Sequence, residues 1–314
     1  MRRATLTVLA ATLGATGCVE SDSREAVGQA MSPIWDGDDS FVDTPNDYAY
    51  AVALVGSNGT DPFCTGVLIT PWWVLTAAHC ADAIGTNGDV DVLFNFDPTD
   101  SENPLRRRHT FNGSNPVLQR IVDPAPADLN HTARDVAVFR LDERVSDDIA
   151  RPIHFSLTAD VCPSGFPGAT GFTGTSIGYG GEFPNNSPCG PIEEVRRYST
   201  HDGWFRLGQP DGAVYNKTFF NSLALCSEYS GTVKGDSGGA FVDESGHLCG
   251  VISNEIPPIP FPLPPSLPLG FNTSNRMAAV DSEETIEWLL GIETPDGNRV
   301  VDADGNFDGE CDDY

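Results

Sequence analysis

Between residues 50 and 253 the chain is cut into short apolar runs separated by Gly, Pro, Asn and Asp clusters. The clearest are YAVALVG (50–56), TGVLIT (65–70), WWVLTA (72–77), VDVLFNF (90–96), VAVFRL (136–141), GAFVD (239–243) and LCGVIS (248–253). Runs of this length, rich in Val, Leu and Ile and bounded by turn formers, read as β-strands, and many in succession predict a sandwich or barrel. The 32 Gly and 24 Pro residues supply the turns and would interrupt the helices of a bundle. DSEETIEWLLGI (281–292) departs from this pattern. Ile286, Leu289 and Leu290 recur at helical spacing behind a first turn of acids, with Asp281 or Ser282 as the expected cap. An all-β body ending in one helix is therefore expected. IPPIPFPLPPSLP (256–268) reads as an extended, polyproline-like surface insertion and not as a strand, because proline lacks the N–H that a ladder needs.

The N-terminus points to export. Arg2 and Arg3 precede an apolar or small-residue run over 4–17, which is too short for a bilayer span and fits a signal peptide. Ala15-Thr16-Gly17-Cys18 resembles a bacterial lipoprotein signal, in which the cysteine is lipidated and becomes the mature N-terminus; the alternative is an ordinary secretory signal cleaved nearby. Residues 1–18 are thus expected as a signal peptide, 19–33 as a linker or propeptide, 34–292 as the folded body and 293–314 as an acidic tail. The product is expected to be secreted or lipid-anchored at the cell envelope, with membrane contact only through the anchor. The chain carries 45 Asp and Glu against 18 Lys and Arg, a net charge of −27. That balance gives a self-repelling surface and leaves nothing to neutralise phosphates, which argues against a nucleic-acid partner. Export also permits disulfides among the eight cysteines.

Three short motifs carry chemistry. In Gly235-Asp236-Ser237-Gly238-Gly239 a serine stands between glycines, so a tight turn can expose its hydroxyl and aim the N–H groups of Gly235 and Ser237 at a developing oxyanion. Leu75-Thr76-Ala77-Ala78-His79-Cys80 sets a histidine after an apolar run, and Asp135 heads the run VAVFRL. Taken singly, each has a plain structural reading: a β-turn, a structural histidine, an acid at a strand end. In the order His79, Asp135, Ser237 they resemble the trypsin/chymotrypsin family of serine proteases, as a bacterial exported or lipoprotein member. The segment FCTGVLITPWWVLTAAHC (63–80), the GYG at 178–180, LCGVIS (248–253) and the terminal helix are similar to that family as well, so the resemblance spans about residues 34–292.

The resemblance implies a chymotrypsin-like double β-barrel with a C-terminal helix, the barrels meeting near residues 155–175. His79 and Asp135 would come from the first barrel and Ser237 from the second. It implies an acyl-enzyme mechanism in which Ser237 attacks, His79 moves the proton, Asp135 orients the imidazole and Gly235 and Ser237 form the oxyanion hole. It also implies a Cys64–Cys80 disulfide. Ile34-Trp35-Asp36-Gly37 is similar to the family's new N-terminus, so cleavage by an activating protease would free an Ile34 ammonium to pair with Asp236. Gly231 and Thr232 would floor the specificity pocket and Ser253, Asn254 and Glu255 would line its wall. Val233 replaces a cysteine that braces the pocket in the family.

The other cysteines leave choices open. Cys162, Cys189, Cys226 and Cys249 allow three pairings, and Cys311 is odd. In the tail, Asp302, Asp304, Asn306 and Asp308 alternate around Gly305 and resemble a calcium-binding aspartate-rich loop of thrombospondin type-3 repeats; a solvated acidic tail is the competing reading. No cofactor is expected for catalysis. The leading expectation is an exported serine endopeptidase acting on protein or peptide substrates, with a catalytically weak binding or regulatory protein on the same fold, or an esterase, as alternatives.

Overall fold

A computed structural model describes residues 42–56, 59–84, 89–100, 106–110, 119–121, 135–158, 162–163, 171–181, 195–207, 214–222, 232–259, 270–293 and 297–301. The strands are β1 (Ala51–Gly56), β2 (Pro62–Leu68), β3 (Trp73–Thr76), β4 (Asp89–Leu93), β5 (Arg106–Thr110), β6 (Gln119–Ile121), β7 (Val136–Arg140), β8 (Phe172–Gly178), β9 (Arg197–Leu207), β10 (Val214–Ser222), β11 (Ala240–Asp243), β12 (Leu248–Ile259) and β13 (Gly270–Ala279). Helix α1 (Ala78–Ile84) follows β3, and helix α2 (Glu283–Leu290) follows β13.

The first seven strands form one sheet in the order β5-β4-β1-β2-β3-β7-β6, and the last six close into a barrel in the order β10-β13-β12-β11-β8-β9. This half-barrel and closed barrel have the architecture of the chymotrypsin-like double barrel. The apolar runs are continuous where a strand is buried on both faces: Ala51 to Val55 on β1 and Trp73 to Leu75 on β3 are wholly buried. One core runs through both halves, joining Val52, Val67, Val74 and Val138 to Ile177, Val242, Val251 and Leu289. A smaller aromatic core fills the closed barrel, where the Trp204 and Phe241 rings lie 4.5 Å apart and Tyr215 packs 5.4 Å from Phe241.

Two of the contacts that join the halves lie away from the glycine-rich turn. Ile153 N–H donates to Leu68 of the sheet (3.0 Å), and the carbonyl of the next residue, His154, accepts from Leu248 of the barrel (3.2 Å). Arg196, fully buried just before β9, pairs with buried Asp43 at 2.8 Å. Its guanidinium also donates to the Ala51 and Phe94 carbonyls, the Asn46 side chain and the Tyr179 hydroxyl. Tyr179 Oη in turn donates to the Asn95 carbonyl at 2.6 Å. Burial pushes the Tyr179 phenol up to about 12 although the nearby Arg196 charge pulls the other way.

Cys64 and Cys80 are bridged, as are Cys162 and Cys249, which selects one pairing from those open in the sequence. Cys189, Cys226 and Cys311 lie outside the described residues, as do Cys18 and the signal region. Two expectations are corrected, the reach of the proline-rich segment and the burial of Leu290, and the choice of cap is made. The proline-rich segment is not wholly outside regular structure: β12 continues through Pro257 and Pro258 to Ile259. The ladder tolerates them because its register shifts between Ile256, opposite Ser274, and Ile259, opposite Asn272, so the prolines fall in the irregularity. Residues 260–268 lie outside the described set. In α2, Ser282 alone caps, its Oγ accepting from Thr285 N–H. Asp281 instead bonds the Tyr215 hydroxyl, Arg206 and the Cys162 N–H. Ile286 and Leu289 are buried as expected, but Leu290 is 47% exposed. Among the described residues no helix is long and apolar enough to cross a membrane.

Candidate active site

The pairing of β3 with β7 brings His79 and Asp135 together. The strands run antiparallel with Thr76 opposite Ala137, so the chain just after β3 meets the chain just before β7. His79 stands in the first turn of α1, and Asp135 immediately precedes β7. The Asp135 carboxylate takes two bonds from one residue: His79 N–H reaches Oδ1 at 2.9 Å and the imidazole Nδ1 lies 2.7 Å from Oδ2. The histidine side chain is 43% exposed and the acid 4%, which leaves the ring's other nitrogen on the open side of the pair.

Ser253 supplies a third bond, its Oγ donating to Asp135 Oδ2 at 2.6 Å. The β12–β13 register shifts between Ile252 and Asn254. This leaves Ser253 as the extra residue of a bulge, and bulges re-aim side chains. Burial alone would raise the Asp135 pKa, but the hydrogen bonds and charge of His79, with the Ser253 hydroxyl, outweigh it and hold the acid below 3.8. A carboxylate on Nδ1 fixes the tautomer and leaves the other ring nitrogen free to accept a proton.

The Gly235–Gly239 turn is held at every peptide. Gly235 has φ +103° and Gly238 φ +82°, values open to glycine and strained for other residues. A Cβ on Gly238 would also strike Thr76 Oγ1, the Thr65 carbonyl and Ala77 N. The Lys234 carbonyl accepts from Gly181 N–H at 3.1 Å and the Asp236 carbonyl from Gly239 N–H at 2.8 Å. Across a planar trans peptide the N–H points opposite to the C=O, so these two bonds turn the Gly235 and Ser237 N–H groups away from the groups that hold them. Between them, the Gly235 carbonyl accepts from Thr65 Oγ1 at 2.8 Å. The Ser237 carbonyl accepts from Thr65 N–H at 2.8 Å and lies 3.5 Å from the Cys80 sulfur, beside His79.

Asp236 is fully buried, and both carboxylate oxygens accept backbone bonds, from Gly180 N–H at 2.7 Å and Val233 N–H at 2.8 Å. Ile34, its expected ammonium partner, lies outside the described residues. Of the specificity positions, Thr232 is buried beside the turn and Ser253 is turned toward Asp135. Asn254 and Glu255 lie on β12 opposite Arg276 and Asn275. Gly231 lies outside the described residues, and so do Asp302, Asp304, Asn306 and Asp308.

Sequence reasoning missed Thr65 and the role of Ser253. The one available signal for Thr65 was a polar residue inside an apolar run beside a cysteine. A bulge that re-aims Ser253 leaves no mark in the apolar pattern.

Residues 40–258 match the family model described as Trypsin. The chain is also 27% identical over 199 residues to brachyurin of Leptuca pugilator, an alignment covering 62% of this chain and 76% of the relative.

Proposed function

The chain belongs to the trypsin family, and from that membership we propose that it is an exported serine endopeptidase working through His79, Asp135 and Ser237. The observation that carries this reading is the His79–Asp135 pair: a buried acid held ionised by His79 and Ser253, with an exposed imidazole oriented on it. His79 accepts the Ser237 proton as Oγ forms a bond to the scissile carbonyl carbon, and Asp135 stabilises the imidazolium. The N–H groups of Gly235 and Ser237 receive the negative charge that develops on the carbonyl oxygen. Collapse of the tetrahedral adduct breaks the peptide C–N bond as His79 returns the proton to the leaving amine. Water then adds to the acyl ester with His79 again as base, and Ser237 is regenerated.

Export is supported by the basic, apolar and small-residue pattern that ends at Cys18. In the same reading, cleavage before Ile34 frees an ammonium for the buried Asp236 carboxylate, which lies under Gly178 and Gly180 in the same loop system as the Gly235 peptide.

Fluorophosphonate labelling tests the reading. Wild-type protein should take up the probe at Ser237, uptake should rise after cleavage at Ile34, and Ser237→Ala should take up none. A folded, cleaved wild-type protein that stays unlabelled would point instead to a binding or regulatory protein on this fold. Labelling together with hydrolysis of simple esters but not of peptides would point to an esterase.

A further inference from the structure

Thr65 stands in β2, 170 residues before Gly235 in the chain, yet it bonds directly to the Gly235–Gly239 turn. It is wholly buried. Its hydroxyl donates to the Gly235 carbonyl at 2.8 Å and accepts from Tyr179 N–H at 3.0 Å. Its own N–H donates to the Ser237 carbonyl at 2.8 Å, and its carbonyl accepts from Thr76 Oγ1 at 2.7 Å. One residue therefore holds the carbonyls on both sides of Asp236.

Gly235 needs such restraint. With no Cβ it passes between positive and negative φ at little cost, and each passage would re-aim its N–H. Gly181 N–H holds the peptide before Gly235 through the Lys234 carbonyl at 3.1 Å. Thr65 Oγ1 holds the peptide after it. The hydroxyl is itself held from behind by the N–H of Tyr179, whose phenolic hydroxyl is tied to Asn95 and Arg196.

We propose that the Thr65 hydroxyl is a positioning group for the oxyanion hole: by fixing the Gly235 carbonyl it holds the Gly235 N–H on the site where negative charge develops. Thr65 touches neither substrate nor reacting atoms and acts through Gly235. The proposal rests on the catalytic reading above. Its expected mark is a loss confined to the transition state, since the oxyanion exists only there.

The variants are Thr65→Val, which keeps the shape and removes the hydroxyl, and Thr65→Ser, which keeps the hydroxyl and removes a methyl. Active sites are counted by fluorophosphonate titration to completion, so unfolded protein drops out of the rate. Per labelled site, Thr65→Val should lose about tenfold in kcat, less than the 10²–10³-fold that follows outright loss of an oxyanion donor, with KM changed by less than about twofold. Affinity for a peptide boronate, whose adduct is tetrahedral, should fall in step with kcat. Thr65→Ser should recover most of both. Wild-type kcat in Thr65→Val, equal losses in the two variants, or a loss that appears in KM alone would overturn the proposal while leaving the serine mechanism standing. A wild-type protein that takes up no fluorophosphonate overturns the catalytic reading and this proposal with it. If Thr65→Val yields no folded protein, a wild-type rate in Thr65→Ser supports the hydroxyl, and a tenfold loss in Thr65→Ser overturns it.

Discussion

Asp135 accepts three bonds of 2.6–2.9 Å, and the shortest comes from Ser253. That bond helps lower the acid's pKa, so its removal has a predictable sign. A carboxylate whose folded value lies below its unfolded value contributes stability above the unfolded value and loses that contribution as pH falls through the folded one. Ser253→Ala should raise the folded value. The variant should therefore be less stable than wild type near neutral pH, and the difference should shrink once the pH drops below about 3.8, the unperturbed value. Urea unfolding at several pH values reads this directly; a difference that stays constant into acid would deny the linkage. At this scale the motifs named His79, Asp135 and Ser237, and the contact of the first two is the part that the fold displays. Thr65 and Ser253 were not legible in their roles, because one depends on which carbonyl a neighbouring strand presents and the other on a one-residue bulge.

Elements divide along a similar line. β1, β3, β7 and β11 coincide with apolar runs because they are buried on both faces. β9, RYSTHDGWFRL, was hidden because its inward side carries Arg197, Ser199, His201 and Arg206. Those groups are buried with polar partners, such as Ser199 with His201 at 2.7 Å and Arg206 with Asp281 at 3.3 Å, and a hydropathy pattern does not record partnership. Helix α2 was legible from its spacing and cap, while Leu290 shows that spacing alone overstates the width of a buried face. Ser282 is the group to test here. Ser282→Ala removes the acceptor for Thr285 N–H and should cost about 1 kcal/mol, read as a lower urea midpoint with an unchanged slope.

For the whole molecule the decisive feature is the junction, where Asp43, Arg196 and Tyr179 tie the segment before β1, the sheet and the closed barrel together. None of this was legible in sequence, since three residues far apart in the chain give no local pattern. Removing one partner of a buried ion pair strands the other. Arg196→Met should therefore destabilise by about 3–5 kcal/mol, and the double variant with Asp43→Asn should lose less than the sum of the two single changes. Thermal unfolding of all four proteins closes that cycle; strictly additive losses would mean that the pair does not act as one unit. The same junction sets how the protein meets its medium. The chain's excess of 27 negative charges is mutual repulsion that dissolved ions damp, over a Debye length of about 8 Å at physiological ionic strength. The Asp43–Arg196 attraction lies where those ions do not reach. Added sodium chloride should thus relieve repulsion among the carboxylates without loosening the joint between the halves, and urea unfolding should show a higher midpoint in brine than in fresh water.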